Sequence, residues 1–139
     1  MRKLIAVALV MFVALLFVGV IARSEAQLNA APPMVLEMTA KKYEFSPDEV
    51  HVKQGAHVQL KIRATDRTHG FKISLYPEGA PEKGEPGLRM AGGKNDFKLE
   101  ENQEQIVEFV AERAGTYEFQ CSVRCGLGHG HMKGKVVVE

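Results

Sequence analysis

Between Cys121 and Met132 the chain reads Cys-Ser-Val-Arg-Cys-Gly-Leu-Gly-His-Gly-His-Met, so two thiols, an imidazole at His129, a second at His131 and a thioether fall within twelve residues. Thiolate and thioether are soft donors, and together with imidazole they favour copper, and also zinc, over hard cations. Gly126, Gly128 and Gly130 let the backbone turn tightly enough to aim those side chains at one point. Taken singly, each residue has a plainer reading. Two cysteines in an exported protein more often form a disulfide, a lone methionine more often packs in a core, and a lone histidine more often sits on the surface. The joint spacing outweighs these readings. A disulfide between Cys121 and Cys125 explains neither the histidine nor the methionine, and a zinc site wants four strong donors and has no use for Met132. A fifth ligand has to come from elsewhere in the chain. His69, in Arg-Thr-His-Gly-Phe, follows an alternating strand whose neighbour can bring it to the C-terminal loop, and Gly70 beside it suits a tight turn. His51 and His57 fall on polar strand faces and are expected to face solvent.

The segments that must position these side chains read as β-strands. Val58, Leu60 and Ile62 alternate with Gln59, Lys61 and Arg63, the period of two that gives a strand one buried face. Val50 and Val52 alternate with His51 and Lys53, and Gln54-Gly55 turns the chain into the next strand. Phe71 and Ile73 begin a short strand just after His69. Residues 106–111 form another, closed by Ala114-Gly115. Tyr117, Phe119 and Cys121 then alternate with Glu118 and Gln120, and residues 34–41 and 133–138 supply the first and last strands. Short strands punctuated by turn residues predict an all-β, antiparallel sandwich with Greek-key connections. Residues 76–97, with Pro77, Gly79, Pro81, Gly84, Pro86, Gly87, Gly92 and Gly93, are expected to form one long surface loop with no strand of its own, and Met90 within it a flexible surface residue.

A chain of 139 residues holds one small domain and a tail. Its charges nearly cancel at +1, which leaves no basic stripe for nucleic acid. There is no catalytic triad, phosphate-binding loop or dinucleotide fingerprint. Arg2 and Lys3 precede an uncharged run over residues 4–22, which as a helix spans roughly 28 Å, close to a bilayer core. A cleaved signal peptide ending near Ser24-Glu25-Ala26 and a retained anchor both fit. The length favours the anchor, and Arg23 inside the would-be cleavage region argues against processing. Residues 1–26 are therefore expected to be a membrane anchor or signal peptide, 27–33 a linker, and 34–139 a domain delivered to the periplasmic or extracellular side, secreted if the N-terminus is cleaved.

Three stretches together resemble a known family. His69-Gly-Phe, then Gly-Thr-Tyr-Glu-Phe-Gln-Cys ending at Cys121, then Cys-x3-Cys-Gly-Leu-Gly-His-x2-Met ending at Met132 are similar to the copper-A domain of cytochrome c oxidase subunit II, above all to its single-span class. The C-terminal domain of nitrous-oxide reductase is similar too. The likeness runs from about residue 35 to residue 139, outside the 76–97 loop. It implies a cupredoxin-like Greek-key β-sandwich behind an N-terminal transmembrane helix, and a centre of two copper ions, since a mononuclear blue-copper site uses a single cysteine. By this resemblance Cys121 and Cys125 bridge both ions, His69 ligates one and His129 the other, Met132 is the weak axial donor on one ion, and the backbone carbonyl of Val123 is the weak donor on the other. The resemblance further implies that the domain passes electrons from a c-type cytochrome or small cupredoxin to the catalytic subunit of a terminal oxidase, and is not catalytic alone. Some features depart from the family. The 76–97 loop is long, and His131 is an additional imidazole, expected to be exposed. Trp is absent, so Tyr43 and Phe45 are the nearest substitute for the aromatic cluster that receives electrons from cytochrome c. A free-standing periplasmic cupredoxin that stores or delivers copper is the alternative, for which His131 and Met90 would serve. A disulfide-closed domain without metal is a third.

Overall fold

A computed structural model describes residues 31–139, so the expected anchor or signal segment lies outside the described residues, as does most of the linker. Among the described residues no helix is long and apolar enough to cross a membrane. Ten strands follow in chain order: β1 Met34–Lys41, β2 Glu44–Ser46, β3 Glu49–Val52, β4 His57–Ala64, β5 His69–Ile73, β6 Leu88–Met90, β7 Asp96–Leu99, β8 Glu104–Ala111, β9 Gly115–Gln120 and β10 Lys133–Val138. They form two five-stranded sheets, one ordered β2-β1-β4-β8-β6 and the other β3-β10-β9-β5-β7.

The alternation legible in the sequence is what closes these sheets on one another. In β4, Val58, Leu60 and Ile62 are all but fully buried, and in β8 so are Val107 and Phe109, so the first sheet turns one apolar face inward. The second sheet answers with Phe71 and Ile73 from β5, Tyr117 and Phe119 from β9, and Val136 and Val138 from β10. Three phenylalanines sit at the centre. Phe45 meets Phe71 edge-on at 5.8 Å between ring centroids and Phe119 edge-on at 5.3 Å, a geometry that brings the positive ring edge onto a negative ring face. Phe45 is thus part of the core rather than part of an exposed aromatic cluster.

Two expectations are corrected here. The sandwich is not wholly antiparallel: β1 runs parallel to β4, and β3 runs parallel to β10. The chain steps from the first sheet to the second through β2 and β3: β1 lies between its hairpin partner β2 and the parallel β4, and β3 forms the edge of the second sheet beside the parallel β10. The 76–97 segment also has strands of its own. Leu88, Arg89 and Met90 pair with Ala111, Val110 and Phe109 as the edge of the first sheet, and 96–99 pairs with β5 as the edge of the second. Three or four residues are too few to display a periodicity, and the glycines and prolines around them dominate the composition. Met90 is accordingly a buried residue of the first sheet's edge strand, 7% exposed, and not on the surface. The remaining arc is pinned by the Glu78 amide on the Thr116 carbonyl and the Gly87 amide on the Leu75 carbonyl, both at 2.8 Å.

Candidate metal centre

His69 opens β5, Cys121 immediately follows β9, and the two strands are neighbours in the second sheet, with Lys72 opposite Gln120 and Ile73 opposite Phe119. That register brings a histidine and a thiol that are 52 residues apart to 3.9 Å, measured from His69 Nδ1 to Cys121 Sγ. Past Cys121 the chain leaves the sheet as a loop. Cys125 returns its sulfur to 3.7 Å from that of Cys121. A disulfide needs about 2.05 Å, so these are two separate thiols, both buried. Gly126, at φ 137°, turns the backbone in a region closed to other residues, and a 3-10 turn over His129–His131 leads into β10. The second half of the loop then folds back on Cys125, whose sulfur lies 3.8 Å from His129 Nδ1 and 3.9 Å from Met132 Sδ. The Cys121 sulfur lies 3.1 Å from the Val123 carbonyl oxygen. The Cys121 amide donates to the Met132 carbonyl at 2.9 Å and closes the neck of the loop.

These atoms make a set of soft and borderline donors, with no carboxylate among them. The donor atoms of His69, Cys121 and Cys125 lie within 4.8 Å of one another, all three residues buried. A thiophilic ion such as copper fits this set, whereas a hard cation finds too few oxygens. Each imidazole presents Nδ1 to a sulfur. In His69 the opposite nitrogen, Nε2, is 2.7 Å from Asp66 Oδ1, and the other Asp66 oxygen accepts the Lys42 amide at 3.0 Å. Asp66 thereby fixes the ring's orientation, the usual service of a carboxylate behind a metal-binding histidine. Burial works against the ionised Asp66 carboxyl, but the His69 and Lys42 bonds, joined by nearby charge that includes Arg67, outweigh it and hold the group below its usual range. The Gly70 amide points at the Cys121 sulfur at 3.4 Å, a donor well placed to steady a thiolate.

Burial, reinforced by the neighbouring Cys121 thiol, pushes the Cys125 thiol up to about 11. A metal takes the thiolate and releases the proton. Copper uptake by the metal-free protein is therefore expected to quicken severalfold per pH unit between roughly pH 7 and 10, read by stopped-flow absorbance. The same shift has a stability consequence of the opposite sense. The folded chain holds this proton more tightly than the unfolded one, so the contribution is intact below the ordinary thiol value and is lost as pH rises toward 11.

Sequence reading placed His69, Cys121, Val123, Cys125, His129 and Met132 together, and all six meet around the two sulfurs by the distances above. His51 and His57 lie elsewhere, on outer strand faces, bonded respectively to Glu49 and Glu139 and to Glu108. His131 is exposed, as expected. Met90 pairs in register with Phe109 in the first sheet, apart from the atoms around the sulfurs. Sequence reasoning passed over Asp66, whose signal was an acid three residues before the histidine, and singled out Tyr43 only as an aromatic for electron entry, not as a neighbour of the ligand loop. A methyl group on Gly128 would come within 2.2 Å of the Tyr43 ring and one on Gly126 within 2.6 Å of its hydroxyl, so Tyr43 packs closely against the loop at both glycines.

Comparison with known proteins agrees with this architecture. Residues 8–138 match the cupredoxin-like domain family. The chain is similar to cytochrome c oxidase subunit 2 of Thermus thermophilus, at 27% identity over 97 residues covering 70% of this chain and 59% of that protein. It is also similar to cytochrome c oxidase subunit 2 of Thermostichus vulcanus, at 26% identity over 131 residues, covering 88% of this chain and 34% of that protein. The chain thus spans between about a third and three-fifths of the curated relatives it matches. Among solved structures, auracyanin A, a blue copper protein of Chloroflexus aurantiacus, superposes with a TM-score of 0.58 at 20% identity, over 78% of this chain and 100% of that one. The periplasmic domain of cytochrome oxidase subunit II of Bradyrhizobium japonicum does so with a TM-score of 0.57 at 14% identity, over 76% and 83%. At such identities a superposition speaks for the fold alone, while the sequence matches bear out the resemblance to oxidase subunit II. With the sandwich, the buried thiols and the family match in agreement, the chain belongs to the cupredoxin-like domain family.

Proposed function

We propose that this domain transfers electrons through a two-copper centre, as a subunit II-like partner of a terminal oxidase, on the outer side of the membrane. The observation that carries this reading is the pair of unbonded, buried sulfurs 3.7 Å apart, each with its own imidazole nitrogen within 3.9 Å. A mononuclear blue-copper site would need only one of those thiols. Cys121 and Cys125 would hold both ions, His69 and His129 one each, with Met132 and the Val123 carbonyl as the weak donors. When bound, the ions supply reversible one-electron storage shared across two thiolates.

The chain's own part is to keep that storage stiff and dry. Both cysteines and Met132 are at most 3% exposed, and His69 is fully buried. The β5 and β9 backbones, tied by Ser74 N–H to the Glu118 carbonyl at 2.8 Å, fix the spacing of His69 and Cys121. Donors that cannot move when charge changes keep the reorganisation cost small, so electrons pass at a small driving force. His129 is only half buried and follows the fully exposed Leu127, which makes it the ligand edge nearest a docked protein. A c-type cytochrome or small cupredoxin is the donor and the oxidase catalytic subunit the acceptor.

Copper reconstitution with metal counting and EPR on the same sample tests this. Two coppers per chain sharing one unpaired electron are expected. One copper with a mononuclear spectrum would sink the two-copper reading and leave the copper-delivery alternative. Met132→Leu should keep both ions yet shift the midpoint potential by tens of millivolts, since a weak axial donor tunes more than it holds; protein-film voltammetry reads this directly.

A further inference from the structure

Arg67 lies in the turn between β4 and β5, one residue after Asp66 and two before His69. Its Nη1 donates to the Cys125 carbonyl oxygen at 2.8 Å, across 58 residues of sequence. One guanidinium therefore joins the turn that carries His69 to the loop that carries Cys125, His129 and Met132. Its Nε is buried and has no hydrogen-bond partner among the described residues. Arg67 also makes no ion pair among the described residues: the neighbouring acid, Asp66, is committed to His69 Nε2 and the Lys42 amide. A guanidinium does not shed its proton at any pH a folded protein meets. The site thus contains a permanent positive charge, outside ion-pair distance of any carboxylate among the described residues though felt by Asp66, half-buried and bonded to the neutral carbonyl of a residue whose sulfur is buried.

We propose that Arg67 is the positioning and potential-setting residue of the metal centre: its guanidinium, seated on the Cys125 carbonyl, docks the second ligand loop against the first and biases the site toward its reduced state. The potential-setting half rests on the copper reading given above. Its sign follows from charge alone. Gaining an electron makes the site less positive by one unit, and a fixed cation nearby favours the less positive form, more strongly where water is scarce. The docking half follows from shape. A planar fork can hold a carbonyl while its stem stays packed, which a lysine ammonium does less well.

The full chain, Arg67→Gln and Arg67→Lys are to be compared by copper count, midpoint potential and amide hydrogen exchange of residues 125–132 in the copper-free protein. Arg67→Gln is expected to weaken electron uptake about three- to tenfold, the upper figure corresponding to ~59 mV for one electron. Arg67→Lys keeps the charge and should keep most of the potential. Both variants should speed exchange of the loop severalfold without copper. A potential unmoved in Arg67→Gln, or loop exchange unmoved in both variants, overturns the proposal. Failure of the wild-type protein to bind two coppers appears in the metal count and counts against the copper reading; a single bound copper still reports the potential shift, and the copper-free exchange comparison tests Arg67 in every case.

Discussion

On the proposed two-copper reading, Cys121→Ser should abolish the two-copper EPR signature expected of the loaded protein and leave at most one weakly held ion per chain. Three effects add at this position. A serine hydroxyl ionises far above the thiol range, so no anionic donor replaces the thiolate at neutral pH. Its oxygen is hard where copper favours soft sulfur. The sulfur also stands between two partners, with His69 Nδ1 at 3.9 Å and Cys125 Sγ at 3.7 Å, so its loss separates the two halves of the donor set instead of trimming one edge. Loss of a group that merely hydrogen-bonds a ligand typically costs 10–100-fold in metal affinity, and loss of a thiolate donor itself should exceed that. His131→Ala is the matching control. That side chain is exposed and none of the sulfur contacts involves it, so metal content and spectrum should stay near the parent. If His131→Ala abolishes the centre and Cys121→Ser spares it, the ligand set is wrong.

Gly70→Ala is expected to destabilise the metal-free domain by about 3 kcal/mol and to lower copper retention with it. A Cβ at residue 70 would fall 2.2 Å from the Ser122 hydroxyl oxygen, 2.7 Å from the Val123 amide nitrogen and 2.8 Å from that of Ser122. The hydroxyl can rotate away, but the two amide nitrogens are backbone of the ligand loop and cannot. Relief requires β5 to part from the loop just where His69 and Cys121 face each other, and it lengthens the Gly70 amide contact to the Cys121 sulfur. Against a total stability of roughly 5–15 kcal/mol the loss is large but survivable, so a folded, measurable protein is expected. Urea denaturation of the copper-free form reads the stability, and competition with a chelator reads the retention. An unchanged midpoint in both would show that the close approach of β5 to the loop is not needed. Gly130→Ala, where an added methyl group meets nothing within 4 Å, serves as the neutral comparison.

The residue pattern by itself determined the identity of the soft donors and most of the strands, because both signals are local. Cysteine, histidine and methionine within one short loop announce their chemistry by type, and an alternation such as Val58, Leu60, Ile62 announces a buried face by period. It could not determine the partner strands of β1 and β3, the short edge strand inside the 76–97 segment and the one that begins at its end, or the burial of Met90 and Phe45, since these depend on what lies across the sheet or across the core. Nor could it show that Asp66 and Arg67, an ordinary pair of charges in a turn, would meet His69 on one side and the Cys125 carbonyl on the other. The tertiary structure decided these because hydrogen bonds and Coulomb forces act over a few ångströms of space, and only strand register converts positions dozens of residues apart into neighbours at that range.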